Sequence, residues 1–302
     1  MREPLDRACC GPAEAPVSWT PNVGEIMRPV DGSMIRPTSA TWTSVRAVFF
    51  DIGGTLAYPH PSFNGLIAQT CQQHGLAVTE EDACHVEPAV WQHIGRRADA
   101  GRGFSLTDED SQRFWLWVYR TYLTELGHAA AAETELPRIL WQTFVRSESY
   151  RLYDDVVPTL DRLRRAGYIL GVISNWEAWL ERLLIDLSIR DYFHVTVVSG
   201  RAGIEKPHPE IFRLALEGAG VDPEEAVHVG DNPNDDVAGA EAVGIRGVLL
   251  DRSDRFAPVL PTNRSGGEAS GRRSSNGPAD SSARIPLRVR HLLELPEILG
   301  AP

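Results

Sequence analysis

Lysine is nearly missing from this chain of 302 residues. Of its 30 basic residues, 29 are arginine and one, Lys206, is lysine. Cysteine is scarce as well. The four present, Cys9, Cys10, Cys71 and Cys84, have neither CxxC spacing nor framework density, which argues against a zinc ribbon and a disulfide scaffold. No apolar run approaches the ~18–20 residues needed to span a bilayer. The opening residues, MREPLDRACC, lack the apolar core of a secretory leader. A reducing cytoplasm is the compartment expected from these absences. Positive charge is also in deficit, with 41 acidic residues giving a formal net charge of −11. Broad nucleic-acid or membrane-surface binding needs a basic face and is not expected. A small anionic substrate stays open, because a local pocket can be positive on an acidic protein.

What remains is a composition of 42% hydrophobic and 24% charged residues, ordinary for a globular protein. Residues 1–44 are rich in Pro, Gly, Ser and Thr without periodicity and are expected to be a disordered tail. Residues 45–50 (VRAVFF) are short, apolar and stopped by Asp51-Ile-Gly-Gly, the pattern of a buried parallel strand. Residues 61–150 read as helix throughout. Thr79-Glu-Glu-Asp and Thr107-Asp-Glu-Asp are helix starts, and Gly75 and Gly127 are stops.

From residue 155 helix and strand alternate, with helices over 158–166, 177–187, 209–218 and 235–243. Strands are expected over 168–173, 194–198, 226–229 and 247–250. This rhythm predicts an α/β fold with a Rossmann-like parallel sheet covered on both faces. Its core would comprise 45–60 and 151–300, with an all-helical insert at 61–150. Residues 256–284 are low in complexity and expected to be disordered, and 288–299 form an amphipathic closing helix.

Four short segments each follow a predicted strand: Asp51-x-Gly53-Gly-Thr55, Ser174-Asn175, Lys206-Pro207 and Gly230-Asp231-Asn-Pro-Asn-Asp235-Asp236. In an open parallel sheet the strand C-termini share one edge, where ligands bind. Asp51 offers a carboxylate there, a group that either caps a helix or acts as a covalent nucleophile. A carboxylate attacking a phosphate dianion needs concentrated positive charge. Lys206 supplies a compact ammonium, and Asp231 facing Asp51 would complete a hard-oxygen site for Mg²⁺. Ser174 and backbone amides at a helix start from Trp176, with Thr55 opposite, suit phosphoryl oxygens. Asp235 or Asp236 would support Lys206 or a water.

These four segments, in order and with this spacing, resemble the motifs of the haloacid dehalogenase-like hydrolase superfamily over roughly 45–251 and 285–300. The helical insert resembles the family's helical cap. The resemblance implies a Mg²⁺-dependent hydrolase of a small phosphorylated metabolite working through an aspartyl-phosphate. Asp51 and Lys206 would be catalytic, and Thr55, Ser174 and Asn175 would bind substrate. Asp51, Asp231 and the Gly53 carbonyl would ligate the metal, with Asp235 and Asp236 supporting.

One position departs from that pattern. Family phosphatases carry a second acid two residues after the nucleophile, and here that residue is Gly53. Two other readings therefore stay open: a 2-haloacid dehalogenase, and a phosphate-ester-binding protein of weak or no activity. Tyr58 and His60 lie near enough in sequence to approach the site. Trp176 and Trp179 suit either core or substrate, and Arg96, Arg97 and Arg102 are candidates for holding a second anionic group. His74, His85 and His93 lack metal-ligand spacing.

Overall fold

The computed structural model describes residues 42–98, 104–256 and 287–301. The two segments expected to be disordered lie almost wholly outside them. Within the expected tail, however, Trp42 is buried in the main core, and the Arg246 guanidinium lies 5.5 Å over its ring.

Six strands form a wholly parallel sheet in the order β5-β4-β1-β6-β7-β8. They are β1 (Ala47–Phe50), β4 (Ile169–Ser174), β5 (Val195–Val198), β6 (Ala226–Gly230), β7 (Arg246–Leu250) and β8 (Leu287–Val289). Alternation of side chains assigns each strand to two layers. Val48 and Phe50 of β1 and Val227 and Val229 of β6 enter one apolar core. Ala47 and Phe49 enter the other, with Phe212 and Ile211 from the helix Pro209–Ala219. Gly171 in β4 lets Phe49 lie flat on the sheet, since a Cβ there would sit 2.7 Å from its ring.

A third, separate core belongs to the helices Phe63–Gln73, Glu80–Ala98, Asp108–Glu125 and Leu136–Phe144. Val118, Tyr122 and Leu123 are buried there, whereas Phe114, Trp115 and Trp117 are partly covered. Thr107 caps its helix by accepting from the Asp110 amide. Gly75 and Gly127 both take φ of 82° just past their helices.

The structure corrects four local expectations. A short antiparallel ribbon, β2 (Ala57–Pro59) with β3 (Tyr150–Leu152), ties the ends of the helical stretch together. Three residues per strand are too few to show a period. The helix expected from residue 177 begins only at Leu180, because the Trp176 amide and carbonyl are bound by Ser199 Oγ at 2.9 and 3.0 Å. The helix expected over 235–243 opens as a wide turn, Pro233–Ala238, and closes as Gly239–Glu241. The Val237 amide there reaches back five residues to the Asn232 carbonyl. The closing helix is shorter than expected, because Leu287–Val289 pair with β7 as an edge strand and only Glu294–Ile298 are helical. Among the described residues no helix is long and apolar enough to cross a membrane.

Candidate active site

Because β1 lies between β4 and β6, the residues leaving these three strands must meet. Asp51 follows β1, Ser174 ends β4 and Asp231 follows β6. Carboxylate oxygens of Asp51, Asp231 and Asp236 all lie within 4.8 Å of one another, and all three residues are buried. Lys206 stands among them. Its ammonium is 2.7 Å from Asp51 Oδ1 and 2.5 Å from Asp236 Oδ1, and it is only 3% exposed. Ser174 Oγ donates to Asp51 Oδ1 at 3.0 Å. Both bonds fall on Oδ1, so Oδ2 is the Asp51 oxygen outside these two bonds.

Charge decides how these groups ionise. Burial alone would pull Lys206 down, but Asp236 and Asp51 outweigh it and hold the ammonium charged. Burial would raise Asp236, yet Lys206 and His228 hold it well below the usual carboxylate range. Asp51 is shifted upward, by burial first, with Lys206 opposing and Asp236 adding repulsion. Burial, with Asp51 and Asp236 repelling, pushes Asp231 up to about 7 despite Arg255. Burial and Asp236 push Asp235 up to about 8.

Asp236 is a support. Lys206 and His228 Nε2 (3.0 Å) share its Oδ1, and the Asn232 amide donates to its Oδ2 at 3.0 Å. Gly230 makes room for it, as a Cβ at that position would fall 2.1 Å from Asp236 Cγ. Asp235 is apart from the cluster, accepting from Asn232 Nδ2 at 2.8 Å. Asn175, expected to bind substrate, instead clamps the Lys206 main chain. Its Nδ2 donates to the Lys206 carbonyl at 2.9 Å, and its Oδ1 accepts from the Lys206 amide at 2.7 Å. The helix N-terminus expected at Trp176 is also absent beside Ser174. Thr55 is fully buried, and its Oγ1 has no hydrogen-bond partner among the described residues.

Several site residues carry little sequence signal. His228 is buried inside β6, where burial lowers its pKa despite Asp236, so the neutral ring donates from Nε2. A lone histidine in an apolar strand was its only mark. Arg255 pairs with Asp231 Oδ2 at 3.2 Å. Asp251 holds the turn that delivers it, accepting the amides of Arg255 and Phe256 at 2.9 Å each. Arg252 grips Asp155 with two bonds of 2.8 and 2.9 Å and also donates to the Thr55 carbonyl.

The helical stretch docks on the same loops. Glu205, beside Lys206, accepts from the amides of Phe104 and Ser105, and Ser105 Oγ lies 2.6 Å from Ser199 Oγ. Ser111 Oγ donates to the buried Glu177.

Other candidates lie elsewhere. Tyr58 packs on Tyr153 at 4.7 Å, and the exposed His60 binds the Ser149 carbonyl through its amide. His74 bonds to the Thr70 carbonyl, His93 pairs with Glu125 and Arg96 with Gln92. Burial pushes the Cys71 thiol up to about 11. Arg102, Cys9 and Cys10 lie outside the described residues, as does the side chain of Arg97.

Comparison with known proteins agrees with this architecture. The family described as haloacid dehalogenase-like hydrolase matches residues 45–244. A zebrafish (Danio rerio) haloacid dehalogenase-like hydrolase domain-containing protein 3 is 31% identical over 70% of this chain and 86% of its own. A phosphoserine phosphatase from Thermus thermophilus is 39% identical over 46% of this chain, which spans 55% of that protein. A magnesium-bound HAD-hydrolase from Bacillus subtilis shares the fold with a TM-score of 0.60. It is 19% identical and covers 85% of this chain and 99% of its own.

Proposed function

The chain belongs to the haloacid dehalogenase-like hydrolases, and from that membership and the site's geometry we propose that it hydrolyses phosphomonoesters of small metabolites, with Asp51 as nucleophile. The observation that supports this most strongly is the single lysine, buried between the carboxylates of Asp51 and Asp236 with Asp231 alongside. A lone buried ammonium would balance one carboxylate. Three carboxylates here face one ammonium and the Arg255 guanidinium, so the cluster retains net negative charge, which suits a divalent cation.

The donors fit Mg²⁺. They are hard oxygens from Asp51 and Asp231, while Asp236 is taken up by Lys206, His228 and the Asn232 amide, and the Gly53 carbonyl would be a further ligand. When bound, held by Asp51 and Asp231, the ion would supply positive charge that offsets the repulsion between a carboxylate and a phosphoryl group. The chain's own groups do the rest. Asp51 Oδ2 bonds to phosphorus as the bond to the leaving oxygen breaks in line. Lys206 and Ser174 fix the attacking carboxylate through Oδ1, and the Lys206 charge offsets the repulsion between carboxylate and phosphate. Thr55 Oγ1, without a partner among the described residues, would be available to a phosphoryl oxygen. The helical insert acts as a cap, held by Glu205 and Glu177, that keeps water out.

A second reading has one observation in its favour. The Trp176 ring lies beside the side-chain position of Gly53, its Cζ3 3.3 Å from where a Cβ would be. This gives the site an aromatic neighbour where the resemblance implies, for the family's dehalogenases, an aromatic residue in place of the second acid. The acidic cluster weighs against it, since a halide displacement needs no cation.

Phosphate release from a panel of phosphorylated metabolites separates the readings. Release that requires Mg²⁺ and falls at least ~10³-fold in Asp51→Asn is expected for a removed nucleophile. Metal-free chloride release from 2-chloropropionate, with no phosphate release, would contradict the phosphatase reading.

A further inference from the structure

The walls around Asp51 differ sharply in polarity. Lys206, Ser174, Asp231 and Asp236 make one side charged and hydrogen-bonding. The other side, at Gly53, meets the indole of Trp176, whose Cζ3 lies 3.3 Å from an added Cβ. Gly53 is not required by its backbone, because the positive φ of this loop, 71°, falls on Gly54. The absence of a side chain at 53 therefore serves space, and the ring edge borders that space.

Trp176 is also held in place. Ser199 Oγ binds its amide and its carbonyl, and the Gly200 amide donates to the same carbonyl at 2.9 Å. Tyr150 and Trp179 back the indole at ring-centroid distances of 5.5 and 5.6 Å. Trp176 is half-buried as a residue, and its indole Nε1 is buried with no hydrogen-bond partner among the described residues.

We propose that Trp176 is a specificity-determining residue that receives an aromatic leaving group, so that the substrates of this site are aryl phosphate monoesters. The inference rests on the phosphatase reading and deepens it. A phosphoryl group belongs on the charged wall, which leaves the rest of the ester against the apolar one. Two independent features then agree on its chemistry. Trp176 brings an aromatic ring edge beside position 53, and position 53 offers no proton. As the Asp51–phosphorus bond forms, the phosphorus–oxygen bond breaks with its electron pair on the aryl oxygen. A phenolate carries that charge without protonation far better than an alkoxide does.

Binding of phenylphosphonate and methylphosphonate, neither of which carries a cleavable ester, tests this by calorimetry with Mg²⁺ present. The native protein should prefer phenylphosphonate by about three- to tenfold, the scale of one aromatic contact. Trp176→Leu should abolish that preference while leaving methylphosphonate affinity unchanged, and Trp176→Phe should keep most of it. Equal affinity of the native protein for both phosphonates would overturn the proposal and leave the phosphatase reading intact. Equal loss of both in Trp176→Leu would mark the ring as structural only. Failure of the native protein to bind either would overturn both the proposal and the reading beneath it.

Discussion

Lys206→Met is expected to destabilise the protein by about 3–5 kcal/mol, the cost of removing one partner from a buried charge pair. The ammonium is 3% exposed and bridges Asp51 and Asp236, so its loss leaves two buried carboxylates facing each other. Methionine fills the volume, which keeps cavity formation out of the comparison. The effect should appear as a lower urea midpoint at unchanged slope. Because the penalty arises from uncompensated charge, adding Asp236→Asn should return part of it, and a double-mutant cycle measures how much. Phosphate release should fall about 10²–10³-fold or more, as for other fixed charges aimed at a reacting group. Lys206→Arg should not rescue either property, since Asn175 fixes the backbone at this position and a planar guanidinium does not reproduce the compact ammonium that bridges Asp51 and Asp236. A stability change under ~1 kcal/mol would place the ammonium in solvent-like surroundings and contradict its burial.

Asp231→Asn should lower divalent-ion affinity by at least ~10-fold while sparing the fold, because it removes a charged hard ligand but keeps its shape. The same carboxyl gives the site a pH dependence. Asp231 is pushed up to about 7 and Asp235 to about 8, both by burial first. A carboxyl raised in the folded state keeps its proton there at a pH where the unfolded chain has lost it. These two groups therefore favour the folded metal-free protein at low pH. That advantage is lost as pH climbs from about 4 toward 7 and 8. A divalent ion needs the deprotonated form, so the rise in melting temperature on adding Mg²⁺ should be larger near pH 8 than near pH 6. In Asp231→Asn that pH dependence should shrink. An ion-induced shift independent of pH, or unchanged in Asp231→Asn, would remove Asp231 from the ligand set.

Much of this site was legible before any fold was known, for a physical reason. Asp51, Ser174 and Asp231 each sit in a short contiguous pattern at a strand end, and parallel topology forces such ends together, while Lys206 lies in the loop beyond β5, after the helix Ser199–Ala202. Lys206 was conspicuous because every other basic residue is arginine. The partners that act at long range were not legible. Arg255 is one of 29 arginines, and only the turn built on Asp251 delivers it to Asp231. Glu177 reads as an ordinary helix residue, yet it is buried against Ser111, 66 residues earlier. Asn175 suits a substrate contact until the Lys206 backbone is seen to occupy it. Edge pairings such as Leu287–Val289 and the ribbon at Ala57–Pro59 are too short to show a period.

Trapping the covalent intermediate tests the central claim most directly. The protein is mixed with acetyl phosphate and Mg²⁺, quenched in acid and examined by intact mass and peptide mapping. With no side-chain acid or base at Gly53 to speed its hydrolysis, a phosphoryl adduct should accumulate on the peptide that contains Asp51 and be missing from Asp51→Asn. An adduct on any other residue, or none above the Asp51→Asn level, would contradict Asp51 as the group that attacks phosphorus.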